Sequence, residues 1–311
     1  MASIITITFN PANDKSTTVS CLVPEKKMKC TAPVFEPGGG GINVARAIKK
    51  LGGEAIAIYL AGGYSGKFLT QLLENDGIPS IVIETQRHTR ENMIVLDTST
   101  NLQYRFGMPG PEINETEWRQ VLSEIEKIKE AEFIVASGSL PKGVPTNIFA
   151  RIADIAKSKK AKFVVDTSGE ALKAAVNEGV YLLKPNLGEL SYLAGKDELA
   201  PNQILDAGRD LINKGRCEVI IVSMGAAGAM LITKNESHQV IPPPVKRKST
   251  VGAGDSMVAG IVLSLFQKKD LLTATKYGVA CGTAATVNSG TQLCKREDVE
   301  KLLLEIISNN C

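Results

Sequence analysis

Histidine is scarce in this chain: only His88 and His238 occur in 311 residues. They stand far apart with no spaced partners, so a histidine-ligated metal centre or a Ser-His nucleophile pair has little support. Cysteine is present but unpatterned. Cys21, Cys30, Cys217, Cys281, Cys294 and Cys311 are widely spaced with no C-x-x-C, which gives neither a zinc site nor a disulfide framework. Reduced thiols in a cytoplasmic protein are the expectation. No stretch reaches the ~18 apolar residues of a membrane helix. The opening MASIITITFNPAND has no basic segment and no long apolar core, so it reads as a strand rather than a signal peptide. No excess of one charge exists either: 36 basic against 33 acidic residues leave +3. The basic residues are scattered rather than striped, which argues against nucleic acid. There is no repeat, low-complexity tract or linker. Neither a Walker A loop nor a G-x-G-x-x-G fingerprint occurs.

What is there is ordinary soluble composition, 43% hydrophobic and 22% charged. A chain of this length builds its core without disulfides. Apolar spacing predicts helices over 42–51, 66–75, 114–129, 145–158, 169–177 and 202–214. Strands are predicted over 4–9, 54–60, 132–136, 161–165, 180–183 and 218–223, and the last ~60 residues are mostly helical. This alternation predicts an α/β fold with a mainly parallel sheet covered on both faces. Residues 16–35 and 88–106 break the rhythm, with β-favouring alternation and no helix between. Ile94–Leu96 and Tyr104–Phe106 flank a polar turn, as in a hairpin. Together these two segments predict a small inserted sheet that covers a cleft or pairs with another subunit.

The richest local pattern is Ser249-Thr250-Val251-Gly252-Ala253-Gly254-Asp255-Ser256, followed by an apolar run over 257–265. A helix starting here aims free N–H groups and its positive dipole end at one point, which suits an anion such as a transferring phosphoryl group. Asp255 beside it is placed to take a proton from an attacking hydroxyl. Elsewhere, Gly38–Gly41 precede Ile42-Asn43. Such a run is either a flexible turn or a backbone that a ligand approaches closely, and Asn43 favours a polyol site. Asp14, just past the first strand, is a sugar-hydroxyl acceptor or a plain turn residue. Lys184-Pro185-Asn186-x-x-Glu189 follows the strand at 180–183. Asn186 and Glu189 share one helical face, which suits a water-mediated Mg²⁺ beside a triphosphate, or simply an N-cap and its capping box. Ser223-Met224-Gly225-Ala226-Ala227-Gly228 admits a nucleotide or is a hairpin turn.

GGGGINVARAIKKLGG (38–53) and STVGAGDSMVAG (249–260) resemble the two motifs of the ribokinase-like (phosphofructokinase B) carbohydrate kinases. SGSLPKGV, DTSGEAL, LLKPNLGEL, PPPVKRKSTVGAGDSM and TAATVNSGTQLC follow in the family's order, so the likeness spans nearly the whole chain. It is closest to the 6-phosphofructokinase subfamily. The resemblance implies a three-layer α/β/α sandwich, one catalytic domain over 1–311, with an inserted β-lid formed by about 14–35 and 88–107. It implies ATP-dependent phosphorylation of fructose 6-phosphate. Tagatose 6-phosphate or fructose 1-phosphate is the alternative substrate, and a catalytically inactive sugar-binding regulator the alternative class.

The same resemblance assigns roles residue by residue. Asp255 matches the catalytic base, and Gly252, Ala253 and Gly254 the anion hole. Asp14, Gly39, Asn43 and Ser139 match sugar-binding positions. Arg90 and Arg105 match basic lid positions that hold the sugar phosphate, and Lys27 and Lys29 match residues that reach in from a partner subunit of a homodimer joined through the lid. Lys184, Asn186, Ser223, Gly225, Gly228, Val279, Thr283 and Asn288 match the ATP site, and Glu189 the Mg²⁺-linked glutamate. Ser249, Val251, Ala285, Asn288, Gly290 and Gln292 match a K⁺ loop. The chain departs from the resembled 6-phosphofructokinase subfamily at Gln292 and Lys29, where that subfamily carries Arg, and at Val23, where it carries Tyr.

Overall fold

The computed structural model describes residues 3–288 and 290–309; Cys311 lies outside them. In chain order the first half holds β1 (Ser3–Thr8), β2 (Ala12–Val19), β3 (Val34–Gly38), α1 (Gly40–Lys50), β4 (Ile56–Gly62), α2 (Gly63–Asn75), β5 (Ser80–Thr85), β6 (Arg90–Asp97) and β7 (Leu102–Phe106). There follow α3 (Glu115–Lys127), β8 (Ala131–Ser137), α4 (Ile148–Lys159), β9 (Lys162–Asp166), α5 (Gly169–Glu178), β10 (Val180–Leu183) and α6 (Leu187–Leu193). The rest is α7 (Ile204–Asn213), β11 (Cys217–Ser223), β12 (Ala229–Ile232), β13 (Ser237–Val240), α8 (Ala253–Phe266), α9 (Leu271–Thr286) and α10 (Arg296–Asn309).

The main sheet runs in the order β13-β12-β11-β10-β9-β8-β1-β4-β5. From β11 to β5 every pairing is parallel; β12 and β13 turn back antiparallel at one edge. Parallel strands need both faces covered, and two apolar cores do so. One packs Ile42, Val44 and Ile48 of α1 with Val258, Ile261 and Val262 of α8 and Val279 of α9. The other packs Trp118 and Val121 of α3 with Phe149 and Ile152 of α4 and Leu172 of α5. Each such buried branched side chain stabilises by roughly 1.5–3 kcal/mol. Helix α8 is buried along its length from Ser256 to Leu265, as its unbroken apolar run requires. It crosses α9 closely because two glycines meet: a Cβ on Gly260 would stand 3.1 Å from the Gly278 Cα.

The small sheet has the order β3-β2-β6-β7. Its strands enter the chain between β1 and α1 and between β5 and α3, as the broken rhythm predicted. Within the first segment, 20–33 forms no strand, and the sheet begins earlier than expected, at Ala12. Phe9, Asn10 and Pro11 are therefore a three-residue link between the two sheets. Edge strands β5 and β13 were not predicted, and α6 and β12 were expected only as a helix start at Asn186 and as the return of a possible hairpin. Each is too short to show a period of its own.

Parallel winding puts the ends of β1, β8, β9, β10 and β11 on one edge. Thr8, Ser137, Asp166, Leu183 and Ser223 end those strands, and the site is built there.

Candidate active site

Helix α8 begins at its N-cap Gly252, which takes the left-handed conformation at φ +73°. A Cβ there would lie 2.6 Å from Leu293 Cδ2, so glycine is needed for both space and backbone. Ser256 is the first residue bonded into the helical ladder, through Gly252 O at 2.8 Å. The N–H groups of Gly254 and Asp255 in the turn before it have no acceptor within the helix. Asp255 lies in this turn. Asn43 Nδ2 donates to its Oδ2 at 2.9 Å, and Ser137 Oγ donates to its Oδ1 at 3.2 Å. Burial pushes its carboxyl up to about 6, and nearby Asp166 adds to this, against the opposing pull of Asn43, Ser137 and Lys184.

Beside the helix start, buried Lys184 pairs with Asp166 at 3.2 Å. Burial disfavours the ammonium, but Asp166, helped by Glu189 and Asp255, outweighs it, so its pKa is raised. A Cβ built on Gly254 would lie 3.7 Å from Lys184 Nζ and 3.9 Å from Asp166 Oδ2. One cation and two carboxylates thus meet at the mouth of this turn.

On one side of that turn lies a cavity of about 390 Å³. Ser223, Gly225, Gly228, Val279 and Thr283 line it, with Ala253 and Gly254 at its inner end. The 223–228 segment is the hairpin turn between β11 and β12, and it also forms one wall of this cavity. Pro242 to Val245, Arg247, Met257 and Gly282 also line it, with Ala226, Thr250 and Thr286. Arg247 is its one charged residue among those described, and sequence reasoning missed it. Its position in a proline-rich run next to the helix motif was the available signal. Asn186 and Glu189 lie outside the cavity, at the start of α6, where they form a full capping box. Glu189 Oε2 accepts from Asn186 N at 2.8 Å, and burial raises its pKa.

On the other side stands the small sheet. Asp14 on β2 accepts from Asn92 Nδ2 at 2.8 Å, and burial raises its pKa while Asn92 and Arg90 lower it. Ser139 accepts from Asn10 Nδ2 at 3.0 Å. Arg90 spreads its guanidinium over backbone carbonyls, Asn10 O and Met108 O at 3.0 Å and Pro11 O at 3.4 Å, so it braces the link between the sheets. Two of its five N–H groups remain. Arg105 reaches from β7 to Thr250 Oγ1 at 3.2 Å, joining the small sheet to the segment that leads into α8. Lys27 and Lys29 are exposed in the 20–33 loop, away from these contacts.

The glycine run divides its work. A Cβ on Gly38 would strike Asp14 Oδ2 at 2.3 Å, and one on Gly39 the Thr8 methyl at 2.7 Å. Gly40 and Gly41 make room for the protein's own strands: added Cβ atoms would stand 2.3 Å from Ser137 Oγ and from Ile7 O. The expected close approach is in part helix against sheet.

The segment 248–251 is tied to the end of α9, where Lys248 N and Ser249 N both donate to Thr286 O. Ser249 Oγ donates to Gly290 O at 2.7 Å. Asn288 is buried and donates to Ala284 O and Leu293 O; it stands with this loop rather than in the nucleotide-sized cavity. Gln292 is exposed. Carbonyls and a hydroxyl gather at this helix C-terminus, with the Glu36 carboxylate beside Gly290 and bonded by Thr291, and such oxygen donors suit a monovalent cation. No group of three or more His, Cys, Asp or Glu stands together among the described residues. A divalent ion here would accordingly be held by one or two carboxylates, water and phosphate, and Glu189 and Asp166 fit that pattern. His88 packs on the Tyr64 ring and His238 lies beside Glu236, both apart from the site.

The doubly covered parallel sheet, the amide-lined helix start with its carboxylate, and the flanking cavity define a small-molecule kinase of the α/β class. The chain belongs to the pfkB family of carbohydrate kinases, whose profile matches residues 3–298. Among its relatives is the ATP-dependent 6-phosphofructokinase isozyme 2 of Escherichia coli (strain K12), 43% identical over 303 residues, 97% of this chain and 98% of that one. The 1-phosphofructokinase of Bacillus subtilis (strain 168) is 30% identical over 97% of this chain and 98% of its own. The crystal structure of phosphofructokinase-2 from Escherichia coli in complex with potassium superposes with a TM-score of 0.95 at 43% identity, covering 99% of this chain and 100% of that one.

Proposed function

We propose that this chain is an ATP-dependent 6-phosphofructokinase, transferring the γ-phosphoryl group of ATP to the 1-hydroxyl of fructose 6-phosphate. The carrying observation is Asp255: a half-buried carboxylate with a raised pKa, held by Asn43 and Ser137 in the turn that opens α8. ATP lies in the cavity lined by Ser223, Gly225, Gly228, Val279 and Thr283, with its phosphates toward Lys184 and Arg247. Fructose 6-phosphate lies under the small sheet as a lid. Asp14, Asn43, Ser139 and the Gly39 backbone orient its hydroxyls. Arg105 and the free N–H groups of Arg90 meet its phosphate, and Lys27 and Lys29 approach from a second subunit. Asp255 accepts the 1-hydroxyl proton as that oxygen attacks in line and ADP departs. The amides over Gly252–Gly254 hold the charge of the transferring group. Positioning and electrostatics supply most of the acceleration.

A magnesium ion near Glu189 supplies charge neutralisation of the phosphates when bound. Ser249, Val251, Ala285, Asn288, Gly290 and Gln292 are the residues to hold potassium, a reading supported by the potassium complex of the Escherichia coli relative. A homodimer joined through the small sheet is supported by an uncovered apolar row on it. Met93 and Phe106 are register partners there, followed by Tyr104 and Leu102, all exposed. No helix among the described residues is long and apolar enough to cross a membrane, and we place the protein in the cytoplasm.

The test is an ATP-coupled turnover assay over a panel of ketohexose phosphates, with and without K⁺. Fructose 6-phosphate is expected to give the highest kcat/KM. A clear preference for fructose 1-phosphate or tagatose 6-phosphate, or no turnover at all, removes the assignment.

A further inference from the structure

A base works only when a lone pair points at the proton it is to take. Asp255 is aimed by two donors from different elements. Asn43 of α1 holds Oδ2, and Ser137 at the end of β8 holds Oδ1. The family resemblance gives Asn43 a role at the sugar; no role attaches to Ser137 from any comparison. We propose that Ser137 is a positioning residue for phosphoryl transfer, its hydroxyl fixing the Asp255 carboxylate so that the remaining lone pairs face the acceptor hydroxyl. This inference rests on the kinase reading above.

Ser137 is buried, so its hydroxyl has little solvent to turn to. The neighbouring backbone is shaped around it: a side chain at Gly40 would stand 2.3 Å from its oxygen, so the glycine run keeps this hydroxyl in place. No ion pair orients Asp255 among the described residues, because Lys184 is turned to Asp166. The charged groups that face it are Asp166 from the end of β9 and Lys184 from the end of β10, with the positive end of α8 beneath. Those fields alter its proton affinity without fixing its direction. A second hydrogen bond, at an angle to the first, does fix it.

The experiment is Ser137→Ala, followed in two ways. The first is the pH dependence of kcat. The second is direct titration of Asp255 by carboxyl ¹³C NMR in the substrate-free protein, with Asp255→Asn assigning the signal. Loss of a donor to the ionised form is expected to move the Asp255 midpoint up by about one pH unit in both measurements. At pH 8, where the base is ionised, kcat is expected to fall about tenfold, with KM for ATP unchanged. An Asp255 titration identical to the wild type overturns the inference, as does a wild-type kcat at pH 8. Absence of any sugar-phosphate turnover in the wild type would instead defeat the functional reading, and the titration would still report whether Ser137 holds Asp255.

Discussion

Asp255 works against the stability of the fold that contains it. Its folded pKa, about 6, stands above the ordinary 3.8. The folded chain therefore binds the extra proton between those values, and this carboxyl lowers stability as pH rises through that window. Asp255→Asn removes the ionisation cost. Its amide keeps both contacts, with oxygen accepting from Asn43 and nitrogen donating to the Ser137 oxygen. The variant is expected to be more stable at pH 7.5, on the order of 2 kcal/mol by denaturant unfolding, while turnover falls about 10²–10⁴-fold. In the wild type, kcat is expected to drop as pH falls through about 6, because the base is then protonated. Arg247 gives a separate expectation. It is exposed, and it is the one charge on the cavity wall among the described residues. Arg247→Ala should raise KM for ATP several-fold and leave KM for the sugar phosphate unchanged in steady-state assays. At this scale the sequence was legible where chemistry is local. Gly252, Ala253, Gly254 and Asp255 are neighbours in the chain, so their joint role can be read directly. Ser137 and Asp166 were not legible as partners of Asp255, because each ends a different strand.

Helix starts carry the next level. Gly252→Ala puts a Cβ 2.6 Å from Leu293 Cδ2 at a left-handed backbone. A cost of about 1–3 kcal/mol is expected in unfolding experiments, and turnover should fall with it, since the same turn presents the amides. At α6 the reciprocal bonds of Asn186 and Glu189 make Asn186→Ala cost about 1 kcal/mol. The plain capping box expected there is present, and it leaves the second Glu189 oxygen available. The long helices declared themselves by spacing: α1, α3, α4, α5 and α7 lie within a few residues of their predicted bounds. Strands β8 to β11 did so as short apolar runs between helices. The 20–33 loop was read as strand because its residues carry β-favouring types, but a strand needs a neighbour. In this segment only Thr31 bonds the β2 backbone, at Thr18.

At the scale of the molecule, the small sheet has two unlike faces. Asp14 and Asn92 share the face that meets the site, while Met93, Tyr104 and Phe106 lie on the other in exposed register. If the proposed dimer forms through this sheet, replacing Tyr104 and Phe106 together by lysine is expected to give monomers in sedimentation velocity, with KM for fructose 6-phosphate raised if Lys27 and Lys29 act across the interface. A wild-type monomer at assay concentration counters that arrangement. The sequence by itself determined the alternation of strands and helices, the small sheet's existence and the glycine-bounded helix start that carries Asp255, because periodicity and a contiguous motif are local properties. Only the tertiary structure decided which side chains hold Asp255, that Arg90 braces a backbone link, that Gly40 and Gly41 serve packing, and that Arg247 lines the cavity beside α8. Those depend on the parallel sheet bringing together the ends of strands far apart in the chain, and no spacing along the sequence encodes that distance.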